Sequence, residues 1–204
     1  MKRLLIFGEI EGLRLVLDRL LFGARHGAPV QMEEERKLSL RLKNWDYSDD
    51  GWYFVTICVR HHEYVFGEIR NDEMVLNNIG KIVQKIWLDI PQHFKNIYLD
   101  EFIVMPNHVH GIIVIENNSC RGAPWRARNR KFGGLQKRSL SSVINHFKGT
   151  VTRWCNKHEC YFQWQRSFHD HIIRNDHALK KIRKYIHFNV EKWEDDLEHP
   201  NHFA

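Results

Sequence analysis

The chain is predicted to form an α+β domain with a ferredoxin-like βαββαβ core, built on a four-stranded antiparallel sheet. Two observations support this prediction. Runs rich in β-branched and aromatic residues, typical of strands, alternate with stretches in which apolar residues recur at helical spacing. These segments follow one another as strand, helix, strand, strand, helix, strand, which is the order of a split βαβ arrangement. A further helix, which carries a tyrosine, is appended at the end.

The first four elements come before a basic stretch of the chain. Residues 53–59 form a strand of high β-propensity, and Asn78 is expected to cap a helix that Pro91 ends. Residues 97–104 and the run that begins at His108 are strands joined by a Pro-Asn turn, so we expect them to form a hairpin.

The remaining elements follow the basic stretch. Ser139 is expected to cap a helix with a buried apolar stripe, residues 168–173 form a short strand, and Asp176 is expected to cap the appended helix. The crossover helices cover one sheet face, so the apolar residues beside the histidines on the other face need a cover as well. The appended helix is the candidate cover, and it would bring Tyr185 against the histidines of the hairpin.

The domain is expected to span residues 41–193. It lies between an N-terminal extension, residues 1–40, which we cannot assign, and a loosely held polar tail, residues 194–204. One hypothesis is that the natural start is Met32. Acidic residues interrupt the apolar start of the chain, no apolar run is long enough for a bilayer, and the four cysteines show no CxxC spacing. We therefore expect a cytoplasmic protein with reduced thiols and no membrane segment.

The positive charge is concentrated in one stretch. The net charge is +6, with 31 basic and 25 acidic residues, yet no acidic residue lies between Glu116 and Glu159. Because no counter-charges are interleaved, a solvated loop is the less favoured interpretation, and a polyanion such as nucleic acid is the expected partner. Trp125 could stack on an unpaired base or fold back on the core. The residues expected to contact nucleic acid are Arg121, Trp125, Arg126, Arg128, Arg130, Lys131 and Lys148.

His108 and His110 form a His-x-His pair at the start of the second hairpin strand. Residues two apart on a strand point to the same face about 7 Å apart, so both imidazoles can aim at one point. Imidazole binds Mn, Fe, Co, Ni or Zn, and it binds Mg or Mn when oxygen ligands complete the shell. The pair alone does not decide between a metal site and two histidines on the solvent face of a half-buried strand.

Tyr185 and Asn189 are four residues apart in the appended helix, which would place their side chains on one face about 6 Å apart. Asn189 could then give an oxygen ligand to a metal held by the histidine pair, with the Tyr185 hydroxyl placed to attack a phosphate. A phenol with a reference pKa of about 10 gains from a nearby cation or base. Taken singly, each residue has another interpretation, as a packing tyrosine and as an asparagine that caps a helix end.

Residues 105–111, Met-Pro-Asn-His-Val-His-Gly, resemble the His-hydrophobic-His motif of the single-tyrosine transposases, and residues 185–189 resemble their nucleophile helix. Further motifs resemble the REP-associated tyrosine transposase branch, within the IS200-like superfamily of HUH transposases. These motifs are residues 45–48, 53–58, 66–69, 139–142, 147–148, 164–166 and 171–174. The resemblance covers about residues 41–193.

The resemblance implies a metal-dependent endonuclease and strand transferase that acts on single-stranded DNA, usually beside a hairpin. Tyr185 would attack the backbone to give a 5′-phosphotyrosine and a free 3′-hydroxyl, while His108, His110 and Asn189 would hold Mg or Mn. A second 3′-hydroxyl could resolve this intermediate without ATP. The implied protein is nucleoid-associated and works as a monomer or homodimer. The chain departs from the branch in its first 40 residues and at Val190, where proline is common.

Two other functions use parts of the same sequence. A catalytically silent regulator that binds hairpin DNA would use the basic stretch equally well, although the intact histidine pair and Tyr185 argue against it. An RNA-binding module with an open sheet ranks last, because no aromatic RNP-type strand is visible. A second His-x-His, His169 and His171, has the polar Asp170 at its centre, and we interpret it as lining the DNA or supporting the site.

Overall fold

The computed structural model describes residues 45–117, 139–196 and 198–199. The N-terminal extension and most of the basic stretch therefore lie outside the described residues. Two short 3₁₀ turns cover Arg60–His62 and Val190–Asp195. The strands and helices are β1 (Gly51–Cys58), β2 (Gly67–Arg70), β3 (Glu73–Leu76), α1 (Asn78–Leu88), α2 (Ile90–His93), β4 (Ile97–Val104), β5 (His108–Ile115), α3 (Leu140–Lys157), β6 (His169–Ile173) and α4 (Asp176–His187).

The main sheet has the strand order β4-β5-β1-β6, and each neighbouring pair is antiparallel. This order, with α1 and α3 as crossovers, confirms the predicted ferredoxin-like α+β fold and the hairpin of β4 and β5. Helices α1 and α3 bury their apolar stripes on one face of the sheet, and α4 packs on the other face. The appended helix is therefore the cover that the sequence predicted.

Strand β5 shows how the two faces are divided. Its odd positions, which include Val109 and Ile113, enter the core formed with α1 and α3, whereas Ile112 packs against α4. Gly111 is on the core side, and a Cβ built on it would lie 2.3 Å from Cζ2 of Trp87. Only a glycine lets this buried indole lie against the strand.

A two-stranded ribbon, β2 and β3, is inserted before α1 and was not predicted as strands. Each strand has four residues, too few to show a clear alternation of apolar and polar side chains. Its turn residues Asn71 and Asp72 have φ values of 52° and 59°. Two-residue hairpin turns require this left-handed backbone conformation at both turn residues.

All three predicted helices begin where the sequence indicated, but two of the three capping residues were misassigned by one position. Ser139 caps α3 as expected, accepting a hydrogen bond from the Ser142 amide. Helix α1 is capped by Asn77 instead of Asn78, and α4 by Asn175 instead of Asp176. In each case the residue with extended backbone accepts from the amide three residues on, and that geometry defines the cap. Helix α1 also ends at Leu88, before Pro91.

The start of the predicted polar tail is not loosely held. Asp196 and His199 are 5% and 8% exposed, so both are buried. Trp193, which is also buried, precedes them and packs against the ring of His108 at 5.9 Å between centroids. Among the helices of the described ranges, none combines the length and apolar character of a membrane span.

Candidate metal centre and active site

The register of the sheet fixes the two histidines of β5. His108 pairs with Cys58 and His110 with Thr56 on β1, and the two imidazole centroids lie 4.3 Å apart. Both side chains are buried, with exposures of 0% and 3%. The predicted convergence of the two rings on one face is therefore present.

Hydrogen bonds to Nδ1 set the orientation of both rings. The amide nitrogen of Asn107 donates to the carbonyls of His62 and Glu198, so its Oδ1 faces His108 and accepts from Nδ1 at 2.8 Å. The Nδ1 of His110 is hydrogen-bonded to Thr56 Oγ1 at 2.9 Å. Each ring consequently presents Nε2 to the site, as metal-binding histidines held by an outer partner do.

The Nε2 atom of His108 is buried and carries a lone pair. Because its Nδ1 carries the proton, Nε2 can only accept, and it has no hydrogen-bond partner within the described parts of the chain. Burial lowers the pKa of His108 to about 3, with the neighbouring His110 adding to the effect, so the ring is neutral near pH 7. A neutral imidazole is the form that binds metal.

Asp196 completes a three-residue group that could hold a cation. Ligand atoms of His108, His110 and Asp196 lie within 4.8 Å of one another, and His110 Nε2 is 3.8 Å from Asp196 Oδ2. Burial alone would raise the pKa of Asp196, but the two imidazoles and the Glu198 amide outweigh it and hold the pKa below its usual range. The group therefore offers two imidazole nitrogens and one carboxylate.

Tyr185 meets this group within the same chain. Its hydroxyl lies 3.2 Å from His110 Nε2 and donates to Asp196 Oδ2, also at 3.2 Å. Ile182 and Ile186 on either side of it in α4 are buried against Phe54 and the sheet. Burial, and next the negative charge of Asp196, raises the pKa of Tyr185 well above its ordinary value, so the phenol is protonated.

Asn189 also reaches the site, although not by the predicted route. Helix α4 ends at His187, so Asn189 stands on the following turn and is not one helical turn from Tyr185 along α4. Its Nδ2 donates to Asp196 Oδ2 at 2.6 Å, and its Oδ1 is buried without a hydrogen-bond partner among the residues described. Two buried acceptors, this oxygen and His108 Nε2, thus fit a cation as their missing partner.

Sequence reasoning missed Asp196. The residue stands in an acidic, polar run that resembles a solvated terminus, and nothing in its spacing links it to the histidines. The available signal was Trp193, because a large aromatic residue in such a run indicates that the segment packs on the domain.

The predicted DNA contacts are mostly outside the described residues, since residues 118–138 are not described. Lys148 is described, and its ammonium donates to the carbonyls of Gln165 at 2.9 Å and Ser167 at 2.8 Å. Burial lowers its pKa to about 8. Its role in binding DNA stays a prediction.

The second His-x-His pair, His169 and His171, lies on β6 opposite Thr56 and Phe54 of β1.

The fold and site together define a ferredoxin-like α+β domain with a His-x-His pair that could hold a metal ion beside a tyrosine. No family model matches the chain. A protein of Haemophilus influenzae, described as an uncharacterized protein, is 39% identical over 163 residues, which cover 78% of this chain and 90% of that protein. The chain belongs to the same family as this Haemophilus protein.

Two solved structures are similar to this one. A REP-associated tyrosine transposase bound to a REP hairpin is 18% identical, with a TM-score of 0.49 over 79% of this chain and 74% of that one. A putative transposase from Deinococcus radiodurans is 15% identical, with a TM-score of 0.40 over 76% and 96% of the two chains.

Proposed function

We propose that the protein is an endonuclease and strand transferase that acts on single-stranded DNA at hairpin-flanked sites, with Tyr185 as its nucleophile. One observation carries the proposal: the Tyr185 hydroxyl lies 3.2 Å from both His110 and Asp196, beside two buried acceptors that have no hydrogen-bond partner among the described residues. The sequence motifs that resemble single-tyrosine transposases support the same function.

The donor set fits a divalent cation, Mg or Mn. His108, His110 and Asp196 would hold it, and Asn189 would add an oxygen through its unpartnered Oδ1. When bound, the cation withdraws charge from the scissile phosphate and stabilises the leaving oxygen.

The protein's own groups position the attack. Ile182 and Ile186 fix the rotation of α4, so the phenol points to the histidine pair, and Asp196 accepts its hydrogen bond. In the attack a bond forms between the Tyr185 oxygen and phosphorus, and the bond from phosphorus to the 3′ oxygen breaks. The phenol, which donates a hydrogen bond to the Asp196 carboxylate, loses its proton to solvent water, and the 3′ oxygen takes a proton from solvent and leaves as a hydroxyl.

The covalent product explains strand transfer. A phosphodiester to tyrosine keeps the energy of the broken backbone bond, so a second 3′-hydroxyl can displace Tyr185 without ATP. The basic stretch with Arg121, Arg126 and Arg128, together with Trp125, would hold the DNA.

A cleavage assay tests this proposal. Labelled single strands that contain a hairpin, taken from the DNA flanking the gene, are incubated with the protein in Mg²⁺, in Mn²⁺ and in EDTA. We expect cleavage that needs a cation and disappears in Tyr185→Phe and in His108→Ala. If the wild-type protein binds the hairpin strands and cleaves none, it is a catalytically silent regulator instead.

A further inference from the structure

A cavity of about 500 Å³ opens at the end of β1. Its lining residues are Arg60, Trp164, Gln165, Arg166 and Ser167. We infer that this cavity, called here the flank pocket, binds one nucleotide of the single-stranded DNA that runs into the active site. The inference deepens the proposed function, on which the nature of its ligand rests.

The flank pocket is a built part of the fold. The Arg60 amide donates to the Gln163 carbonyl at 2.7 Å, and the Gln165 amide donates to the Cys58 carbonyl at 2.9 Å. The chain around Trp164 thus continues the sheet alongside the end of β1. On its other side, the Lys148 ammonium fixes the carbonyls of Gln165 and Ser167.

The charge of the pocket suits a phosphate. Arg60 and Arg166 are exposed, and neither has a carboxylate within ion-pair distance in the described part of the chain. The only side-chain hydrogen bond found there for the Arg60 guanidinium goes to the neutral amide of Gln163. Guanidinium groups bind phosphate oxygens through paired hydrogen bonds.

The other lining groups suit a base. Trp164 is half-buried and packs against Phe66, Phe147 and Phe162. These contacts hold the indole ring in one position at the side of the pocket. Aromatic rings give stacking surfaces for unpaired bases. The side-chain carboxamide of Gln165 and the exposed hydroxyl of Ser167 add groups that can form hydrogen bonds with the edge of a base.

The pocket is joined to the metal centre by hydrogen bonds. Gln165 Nε2 is 3.3 Å from His62 Nε2, the His62 carbonyl accepts from Asn107 Nδ2 at 3.2 Å, and Asn107 in turn orients His108. In the sheet, Cys58 stands between His108 and Gln165, so these two are separated by two strand spacings, about 10 Å. A nucleotide in the pocket would thus lie at the same end of the sheet as His108, on the side that α3 covers, whereas Tyr185 lies on the other face.

Binding measurements with and without a single-stranded flank test this inference. The probes are a fluorescent DNA hairpin with short randomised single-stranded flanks and the same hairpin with blunt ends, both in EDTA so that no cleavage occurs. We expect wild-type protein to bind the flanked probe more tightly. The Arg60→Gln/Arg166→Gln variant should lose about tenfold or more of that affinity and bind the blunt probe as before.

The matched control removes the same charge elsewhere. Lys81 and Lys85 are exposed on α1, which covers the opposite face of the sheet from Tyr185. Lys81→Gln/Lys85→Gln should bind both probes like the wild type. Ser167→Asp, which places a negative charge in the pocket, should also weaken only the flanked probe. A photoreactive iodouracil in the flank should cross-link to the peptide that contains Trp164.

The outcomes separate this inference from the proposed function. Wild-type affinity for the flanked probe in both pocket variants, or a wild-type protein that ignores the flank, would overturn the flank pocket. Cation-dependent cleavage by the same protein would then leave the proposed function standing. Conversely, a flank preference lost in the variants, together with no adduct at Tyr185, would support the pocket and overturn the nuclease proposal.

Discussion

Gly111→Ala is expected to destabilise the fold next to the metal centre. An added Cβ would lie 2.3, 3.0 and 3.1 Å from three ring atoms of Trp87, about 1 Å inside ordinary contact at the closest point. The indole is fully buried and packed between Phe102 and Phe147, with ring centroids 6.0 and 5.2 Å away, so it has no room to withdraw. Overpacking of this kind costs about 1–3 kcal/mol.

Urea unfolding of matched glycine variants measures this cost. In α3, a Cβ on Gly149 would meet, among the residues that the structure describes, only the flexible Arg153 side chain at 3.7 Å, so Gly149→Ala should stabilise the protein by about 0.5–1 kcal/mol. Because Gly111 directly follows His110, Gly111→Ala should also weaken Mn²⁺ binding, and Gly149→Ala should not. Equal or greater stability in Gly111→Ala would refute the packing of Trp87 on β5.

Three further changes test the site and the helix that carries the tyrosine. Asp196→Asn removes the carboxylate of the proposed metal group and should weaken Mn²⁺ binding at least about tenfold by isothermal titration calorimetry, whereas an unchanged affinity would exclude Asp196 from the site. Asp100→Asn breaks the partly exposed pair with Arg183 of α4 and should cost about 1 kcal/mol at pH 7. Arg183 lowers the pKa of Asp100, so this stabilisation shrinks as the pH falls below about 4 and is lost once the pH passes below the lowered folded-state pKa. A difference in urea unfolding that stays constant between pH 7 and strongly acidic pH would contradict the pairing. Asn175→Ala removes the cap bond to the Ala178 amide and should cost about 1 kcal/mol in the same assay, while no change would show that the cap is not formed.

Much of the fold could be predicted because local patterns determine it. The strands are rich in β-branched and aromatic residues, and α1, α3 and α4 carry apolar residues at helical spacing, so each element has a local signal. The order of these elements gives the sheet topology. The ribbon of β2 and β3 was missed because four-residue strands carry too little pattern. The caps at Asn77 and Asn175 were misplaced by one residue because two polar residues stand side by side and only the backbone angles separate them.

The site was predictable where its residues are linked by spacing. His108 and His110 are two apart on one strand, and a helix over that face brings Tyr185 to them. Asn189 was predicted to reach the site from one helical turn after Tyr185, whereas α4 ends at His187 and Asn189 reaches the site from the turn that follows. Asp196 comes from a segment that returns to the site by tertiary packing of Trp193, and such a contact leaves no periodic trace in the sequence.

The most direct measurement follows each end of a cut strand. Hairpin-containing single strands labelled at the 3′ end or at the 5′ end are incubated with the protein and Mn²⁺, then denatured and separated. If the Tyr185 phenol attacks with a 3′-hydroxyl as leaving group, the 3′ label stays with the protein, the 5′ label is released, and Tyr185→Phe retains neither. An adduct that carries the 5′ label, or one that persists in Tyr185→Phe, would contradict the assignment of Tyr185 as the nucleophile.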